Sequence, residues 1–294
     1  SEGMEKPSML IIPDVDDSYA PLKSGLLVSL SKHRESFENL LKMIPETFST
    51  SPPGACAMTA GIKASIEYLK PVGGKVMAFV ATIPNAGLGK LEARTGTSGQ
   101  RTGNIEKEPL KCMAPADRTY HAMATHAAEH QVCIDLFLCV SSAVDIATLG
   151  VLPRITGGSL YRYPGFDVQK DFAQLHNDLR WNFIRPQGLE AVMRVRASAG
   201  LGVQDYNGYF SKRTMTDVDL PALDSDKTIA VTLRYEDKLV DGREAYVQCA
   251  LLYTTLTKER RIRVHTMALP ITSVLGSLFR SADLDAQTSW AVRK

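Results

Sequence analysis

The sequence lacks most of the features that announce a specialised class. Charge of one sign is not in excess: 34 Lys and Arg stand against 32 Asp and Glu, a formal net charge of +2 over 294 residues. That balance excludes binding driven by a global basic surface, the usual footprint of a nucleic-acid binder. No long hydrophobic run is present. The longest apolar stretch, residues 76–83, falls far short of the ~20 residues that a membrane-spanning helix needs. Cysteine is sparse and unpatterned: Cys56, Cys112, Cys133, Cys139 and Cys249 form an odd set without a CxxC. A zinc ribbon and a disulfide scaffold are thereby disfavoured, and buried free thiols in a reducing compartment are expected. The opening Ser-Glu-Gly-Met-Glu-Lys lacks an initiating Met and the basic-then-apolar pattern of a secretory leader, so it reads as a processed piece. Nucleophile signatures are missing too: no GxSxG occurs, and no cysteine has the local context of a thiol protease. No enzyme is expected.

What is present is an ordinary globular composition, 44% hydrophobic and 22% charged, with length for roughly two domains. Helix and strand signals alternate in the first half. Ser31 can cap a helix whose Phe37, Leu40, Leu41 and Ile44 recur at helical spacing. A second helix runs to about Leu69 and stops at Pro-Val-Gly-Gly, 71–74. Residues 75–83 and 132–139 are continuous apolar runs, the pattern of strands buried on both faces. Residues 84–114 read as a long polar loop, and helices are expected at about 116–129, 145–152 and 167–183, the last with Phe172, Leu175, Leu179 and Phe183 on one face. Such alternation predicts a doubly wound, mainly parallel sheet covered by helices. After Pro186 the period changes. Residues 190–198, 201–210, 229–235, 245–255 and 261–269 are strand-like, separated by turn material at 220–221, 224–226 and 241–242. These predict an antiparallel sandwich or barrel. A last helix is expected over 274–292.

Several motifs invite functional readings. Gly-Leu-Gly-Lys at 87–90 follows a strand but lacks the spacing of a phosphate loop, so an ordinary loop is expected. Asp14, Asp16 and Asp17 could offer oxygens to a cation, but further ligands and the glycine of a calcium loop are missing. A solvated or capping turn is favoured. His126 and His130 stand at the i, i+4 spacing used for zinc, with Ala127 where a metalloprotease has glutamate. Surface histidines are favoured there. Arg194 and Arg196 project from one face of a strand, about 7 Å apart. Lys258, Arg260, Arg261 and Arg263 form a second basic group. Such groups can seat carboxylates or phosphates, though a charged face paired with Glu236, Asp237 and Glu259 is the plainer reading.

The second half carries a series of longer motifs: Thr-Gly-Gly at 156–158, Tyr-Arg-Tyr-Pro at 161–164, Gly-Phe-Asp at 165–167, Glu-Ala-Val-Met-Arg-Val-Arg at 190–196, Gly-Leu at 200–201, Gly-Tyr-Phe at 208–210, Ala-Leu-Leu-Tyr-Thr-Thr at 250–255 and Arg-Arg-Ile-Arg-Val-His-Thr at 260–266. The first half adds Ile-Pro-Asp-Val-Asp-Asp at 12–17, Gly-Gly-Lys at 73–75, Pro-Asn-Ala-Gly-Leu-Gly-Lys at 84–90 and Val-Cys-Ile-Asp-Leu-Phe at 132–137. In order, over nearly the whole chain, these resemble the Sec24 family, the cargo-adaptor subunit of the COPII vesicle coat.

The resemblance implies an α/β von Willebrand A-like trunk (doubly wound, mainly parallel sheet) over 1–185, lacking its opening βα unit. It implies an all-β antiparallel β-sandwich over 186–269 and the start of a helical domain over 270–294. It implies no catalysis and no cofactor, because the family's four-cysteine zinc finger lies outside this sequence. The implied partners are the coat's GTPase-activating subunit, a Sar-type small GTPase, and the cytosolic tails of cargo and SNARE proteins. Peripheral contact with a membrane surface is implied, and no nucleic acid. The implied place is cytoplasmic, on endoplasmic reticulum membranes and COPII vesicles. One family pocket takes acidic export signals of the DxE and LxxLE kind, and its residues match Arg194, Arg196 and Leu252. A second pocket's arginine matches Arg213, although Ser211 stands where an aromatic is expected. The alternative is a free-standing A-type module that binds its ligand through a metal at Asp14–Asp17.

Overall fold

The computed structural model describes residues 9–22, 25–50, 54–94, 112–214 and 216–293. Much of the expected loop at 84–114 lies outside the described residues. The first helix, α1 (Leu30–Phe48), has Ser29 rather than Ser31 at its N-cap, and no side chain caps it. Ser31 lies inside the helix, its hydroxyl 2.9 Å from that of Ser29. α1 buries no residue: of the expected stripe, Phe37, Leu41 and Ile44 are exposed and Leu40 is half-buried. α2 (Met58–Leu69) ends as expected: the Gly73 N–H reaches the Leu69 carbonyl at 2.7 Å, and Gly73 takes φ 64°.

The first sheet is parallel, in the order β1 (Gly74–Val80), β2 (Val132–Leu138), β3 (Leu160–Arg162). Only β2 is buried along its whole length; β1 is half-buried, because it forms the sheet's edge. Connecting helices are α3 (Thr119–Glu129), α4 (Ile146–Leu149) and α5 (Val151–Thr156). Alternation along β2 sends Val132, Ile134, Leu136 and Leu138 into a core with Ile62, Ile66, Tyr120 and Leu152. Each such fully buried aliphatic side chain contributes about 1.5–3 kcal/mol. Cys133, Asp135 and Phe137 point to the opposite face, where Phe79, Phe137 and Tyr161 stack at 4.8 and 4.6 Å. Burial pushes the Cys133 thiol up to about 12. The expectation of buried thiols holds for Cys133 alone: Cys112 is exposed, and the other three are half-buried.

α5 ends on Gly157 at φ 71°, a left-handed cap that favours glycine. Gly158 then passes so close to β2 that a Cβ would lie 1.9 Å from the Ile134 carbonyl oxygen. The Thr-Gly-Gly motif is therefore a packing requirement. α6 (Val168–Ile184) starts at Asp167, whose carboxylate accepts the Gln169 N–H at 2.8 Å. Leu175 and Leu179 are half-buried, but Phe172 and Phe183 are exposed, so the expected apolar face is only half covered. Asn182 of α6 is buried against β2.

Beyond α6 lie the antiparallel strands β4 (Gln187–Ala197), β5 (Leu201–Asn207), β6 (Ser211–Lys212), β7 (Asp217–Asp224), β8 (Ala230–Tyr235), β9 (Glu244–Thr255) and β10 (Arg260–Pro270). They form a five-stranded sheet, β10-β9-β4-β7-β6, and a two-stranded sheet, β5-β8. The inner faces meet through Ala191, Met193, Val195, Tyr206, Val218 and Leu220. Two strands do not cover five, and a cavity of about 320 Å³ opens beside Met193, Val231, Val247 and Met267.

One expectation fails outright here. Leu220-Pro221 is not a turn but the middle of β7, a strand buried over most of its length. The reason lies across the ladder. Leu189 pairs with Ala222 and Ala191 with Leu220, which leaves Glu190, at φ 51°, opposite Pro221. The register of β4 against β9 also shifts there. Pro221 thus falls opposite the irregular residue of β4, at the one position the β4–β7 ladder leaves unpaired, which is where a strand tolerates a residue without an N–H. Past Pro270 there are two helices, α7 (Leu275–Ser281) and α8 (Leu284–Arg293), rather than the single one expected. Ala282 is extended, and the Asp283 carboxylate accepts the Ala286 N–H at 3.0 Å, starting the second helix afresh.

Candidate functional site

Period 2 along β4 separates the two faces of the five-stranded sheet. Met193 and Val195 go inward, so Val192, Arg194 and Arg196 face outward. β9 repeats the pattern: Val247, Cys249, Leu251 and Tyr253 pack inward. The register sets Leu252 opposite Val192, Ala250 opposite Arg194 and Gln248 opposite Arg196. Arg194, Arg196 and Leu252 therefore share one outward face. β10 extends it. Ile262 lies opposite Leu252 and Val264 opposite Ala250, both exposed, at 71% and 53%. An apolar strip formed by Val192, Leu252, Ile262 and Val264 thus runs beside two guanidinium groups. The sequence held the signal for Ile262 and Val264 in their alternation with Arg261, Arg263 and His265.

The arginines differ. Arg194 lies opposite Asp217 of β7, and its Nε and Nη2 donate to the two carboxylate oxygens, a bidentate pair. That bond holds the Asp217 carboxyl below the usual carboxylate range. Arg196 is exposed and makes no ion pair with any described residue. Farther along the face is Asp219, opposite Val192. Its Oδ1 has no hydrogen-bond partner among the described residues, and burial raises its pKa. The exposed Arg213 reaches Asp219 at 3.8 Å. It belongs to the same outward face, three strands from Leu252. The two acidic residues were invisible to sequence reasoning because β7 itself was missed.

The basic group at 258–263 is split. Lys258 lies in the turn at φ 66°; Arg260 contacts Glu190 at 3.7 Å on the outward side, and Arg261 pairs with Glu259. Of the acidic neighbours expected from sequence, only Glu259 pairs with this group, through Arg261; Arg260 meets Glu190 instead, and Glu236 pairs with Arg234.

The other motifs are structural in part. The Asp14 carboxylate accepts the N–H groups of Asp16 and Asp17 at 3.0 and 2.9 Å, which lowers its pKa. Asp17 is paired with Lys63 at 2.6 Å. The acidic run is a capped turn, as favoured from sequence. The 87–90 loop opens no helix. It is held by the Thr59 hydroxyl on the Leu88 carbonyl, 2.5 Å, and the Tyr120 hydroxyl on the Gly89 carbonyl, 2.9 Å. His126 and His130 lie on the surface end of α3, their rings 4.6 Å apart. No described helix is long and apolar enough to cross a membrane.

A buried polar network lies in the parallel layer. Asp135 Oδ1 accepts the Ser159 N–H at 2.7 Å, and Oδ2 accepts Asn182 Nδ2 at 2.8 Å. Lys75 Nζ is 3.2 Å from the same oxygen. These contacts tie β2 to β1, to α6 and to the segment before β3. Beside them Lys227, from the turn after β7, donates to the Gly158 carbonyl at 3.1 Å.

Comparison with known proteins gives a consistent picture. Residues 1–183 match the Sec23/Sec24 trunk domain and residues 188–272 the Sec23/Sec24 beta-sandwich domain. Protein transport protein SEC24 B of Arabidopsis thaliana is 49% identical over 285 residues, covering 97% of this chain and 26% of that protein. Human Sec24D is 35% identical over 287 residues, again 97% of this chain and 27% of the relative. Among solved structures, the crystal structure of the human COPII-coat protein Sec24c superposes with a TM-score of 0.89 at 35% identity, covering 97% of this chain and 38% of that one. The chain spans about a quarter of the length of the curated relatives it matches.

Proposed function

The chain belongs to the Sec23/Sec24 family, and from that premise we propose that it serves a COPII coat as the cargo-selecting part of a Sec24-type subunit, in transport from the endoplasmic reticulum to the Golgi. The role is one of binding, without catalysis. In this reading residues 1–185 serve as trunk and 186–269 as β-sandwich. The partners are the GTPase-activating coat subunit, a Sar-type GTPase, and the cytosolic tails of cargo and SNARE proteins. The place of action is the cytosolic surface of the membrane.

One observation supports the cargo reading most: two guanidinium groups and an apolar strip share one outward face. Arg194 and Arg196 are two residues apart on a strand, a spacing of about 7 Å. The two carboxylates of a DxE signal, held as an extended strand, repeat at the same interval. Each can be received by one arginine in a charge-assisted bond. The leucines of an LxxLE signal have Leu252, Ile262 and Val264 to lie on. Because Asp217 already occupies Arg194, Arg196 is the first docking point, and full engagement displaces Asp217. Arg213 sits too far along the face for the same two-residue interval, and we assign it a secondary, steering role.

The test is calorimetry with a DxE or LxxLE peptide on Arg194→Glu/Arg196→Glu. Both side chains are on the surface, so the circular dichroism spectrum stays native while binding is lost. Unchanged affinity would refute the assignment. The metal-dependent alternative finds no support at Asp14–Asp17, where Asp14 accepts two backbone N–H groups and Asp17 pairs with Lys63.

A further inference from the structure

The C-terminal end of α3 brings three ligand-type side chains together, outside the face described above. Donor atoms of His126, Glu129 and His130 lie within 4.8 Å of one another. Glu129 Oε2 is 4.0 Å from His126 Nδ1, while Glu67 of α2 lies at the other edge of that ring, its Oε1 3.6 Å from Nε2. His130 is the residue that ends the helix, four positions after His126, so both imidazoles stand on the same side of its last turn. One further contact matters. His130 Nδ1 lies 2.9 Å from the His126 carbonyl oxygen. A carbonyl can only accept, so Nδ1 carries the proton and Nε2 keeps its lone pair. Metal-bound imidazoles are commonly held in this way, one nitrogen on a carbonyl and the other on the ion.

We propose that His126, Glu129 and His130 form a binding site for one divalent transition-metal ion, with zinc as the fitting species. Two nitrogens and a carboxylate oxygen match its borderline preference. Calcium or magnesium would need roughly six oxygens around it, and one carboxylate does not supply them. Zinc places its ligands at about 2.0–2.2 Å, so tetrahedral donors stand roughly 3.3–3.6 Å apart. The present spread closes by side-chain rotation, since Glu129 is exposed and both histidines are partly exposed. Glu67, held by Lys70 at 2.6 Å, is left outside the set, and water fills the remaining position. The site involves none of the five cysteines.

The test is a zinc chloride titration by calorimetry. It is run on the chain carrying Cys112→Ser, which removes the exposed thiol as a rival ligand. A single equivalent is expected to bind. His126→Ala/His130→Ala should lose it, and Glu129→Gln should weaken it about tenfold. Metal-free thermal unfolding of each variant should match the parent, because these side chains support no core. Cobalt(II) in place of zinc should give a visible spectrum that disappears in the double histidine variant. The proposal is overturned by zinc binding of equal stoichiometry and affinity in that variant, or by no binding to the parent at millimolar zinc.

Discussion

Replacing Asp135 by alanine probes the buried network that joins β2 to β1 and to α6. Asp135 is fully buried in β2, and its two oxygens are shared by the Ser159 N–H, the Asn182 amide and the Lys75 ammonium. Lys75 is itself nearly enclosed, its side chain 13% exposed. Removing the carboxylate leaves a cation without its counter-ion, held only by Asn182 Oδ1 at 3.2 Å, and takes the acceptor from the Ser159 N–H; the Asn182 amide keeps only the Tyr161 hydroxyl at 3.3 Å. Breaking one side of a buried pair costs about 3–5 kcal/mol. A change of that size lowers Tm by roughly ten degrees in a chain of this length. Asp135→Asn keeps the shape and one acceptor but sets an amide NH2 against donors, and it should cost about 1–3 kcal/mol. Adding Lys75→Met to Asp135→Ala removes the stranded charge and should recover part of the loss, a coupling that a double-mutant cycle reads. Urea and thermal unfolding followed by circular dichroism supply the numbers. A loss under about 1 kcal/mol for Asp135→Ala would refute the reasoning, because the penalty for an unpaired buried ammonium should exceed it.

Two further predictions concern the acidic residues of β7. Asp217→Asn releases Arg194 and should raise affinity for an acidic signal peptide several-fold in calorimetry; a loss of affinity would instead make Asp217 the residue that positions Arg194. Asp219 carries a burial-raised pKa and an oxygen without a partner. A raised carboxyl pKa means that the stability gained on protonation is complete below the unfolded value and is lost as pH rises through the folded one. The penalty of the charged form is thus present at neutral pH, so Asp219→Asn should stabilise by about 1 kcal/mol there. That gain should vanish below about pH 4, where wild-type Asp219 is itself protonated.

Much of this was legible from residues alone. Met193 and Val195 alternate with Arg194 and Arg196, and the structure keeps that division between core and surface. The buried run at 132–138 could be read because β2 is central and needs apolar side chains on both faces. β1 carried the same apolar signal but lies at an edge, so burial cannot be read from composition without knowing the neighbours. β7 escaped because Pro221 looked like punctuation. Only the pairing across β4, with Glu190 bulged opposite it, shows why a proline fits there. The internal counter-ion of Arg194 was hidden for the same reason, and with it the difference between the two arginines. Likewise, α1 and the outer face of α6 have the right period for amphipathic helices, yet periodicity does not say which surface covers them. The histidine pair on α3 was visible by spacing.

The central claim is that the outward face of β4 and β9 receives acidic export signals. Its most direct measurement is an NMR titration with a DxE peptide, observing arginine Nε–H and methyl resonances. Saturable shifts are expected at Arg196, Arg194 and the Leu252 methyls, with the inward Met193 and Val195 methyls unmoved. Shifts confined to another surface, or none at saturating peptide, would contradict it.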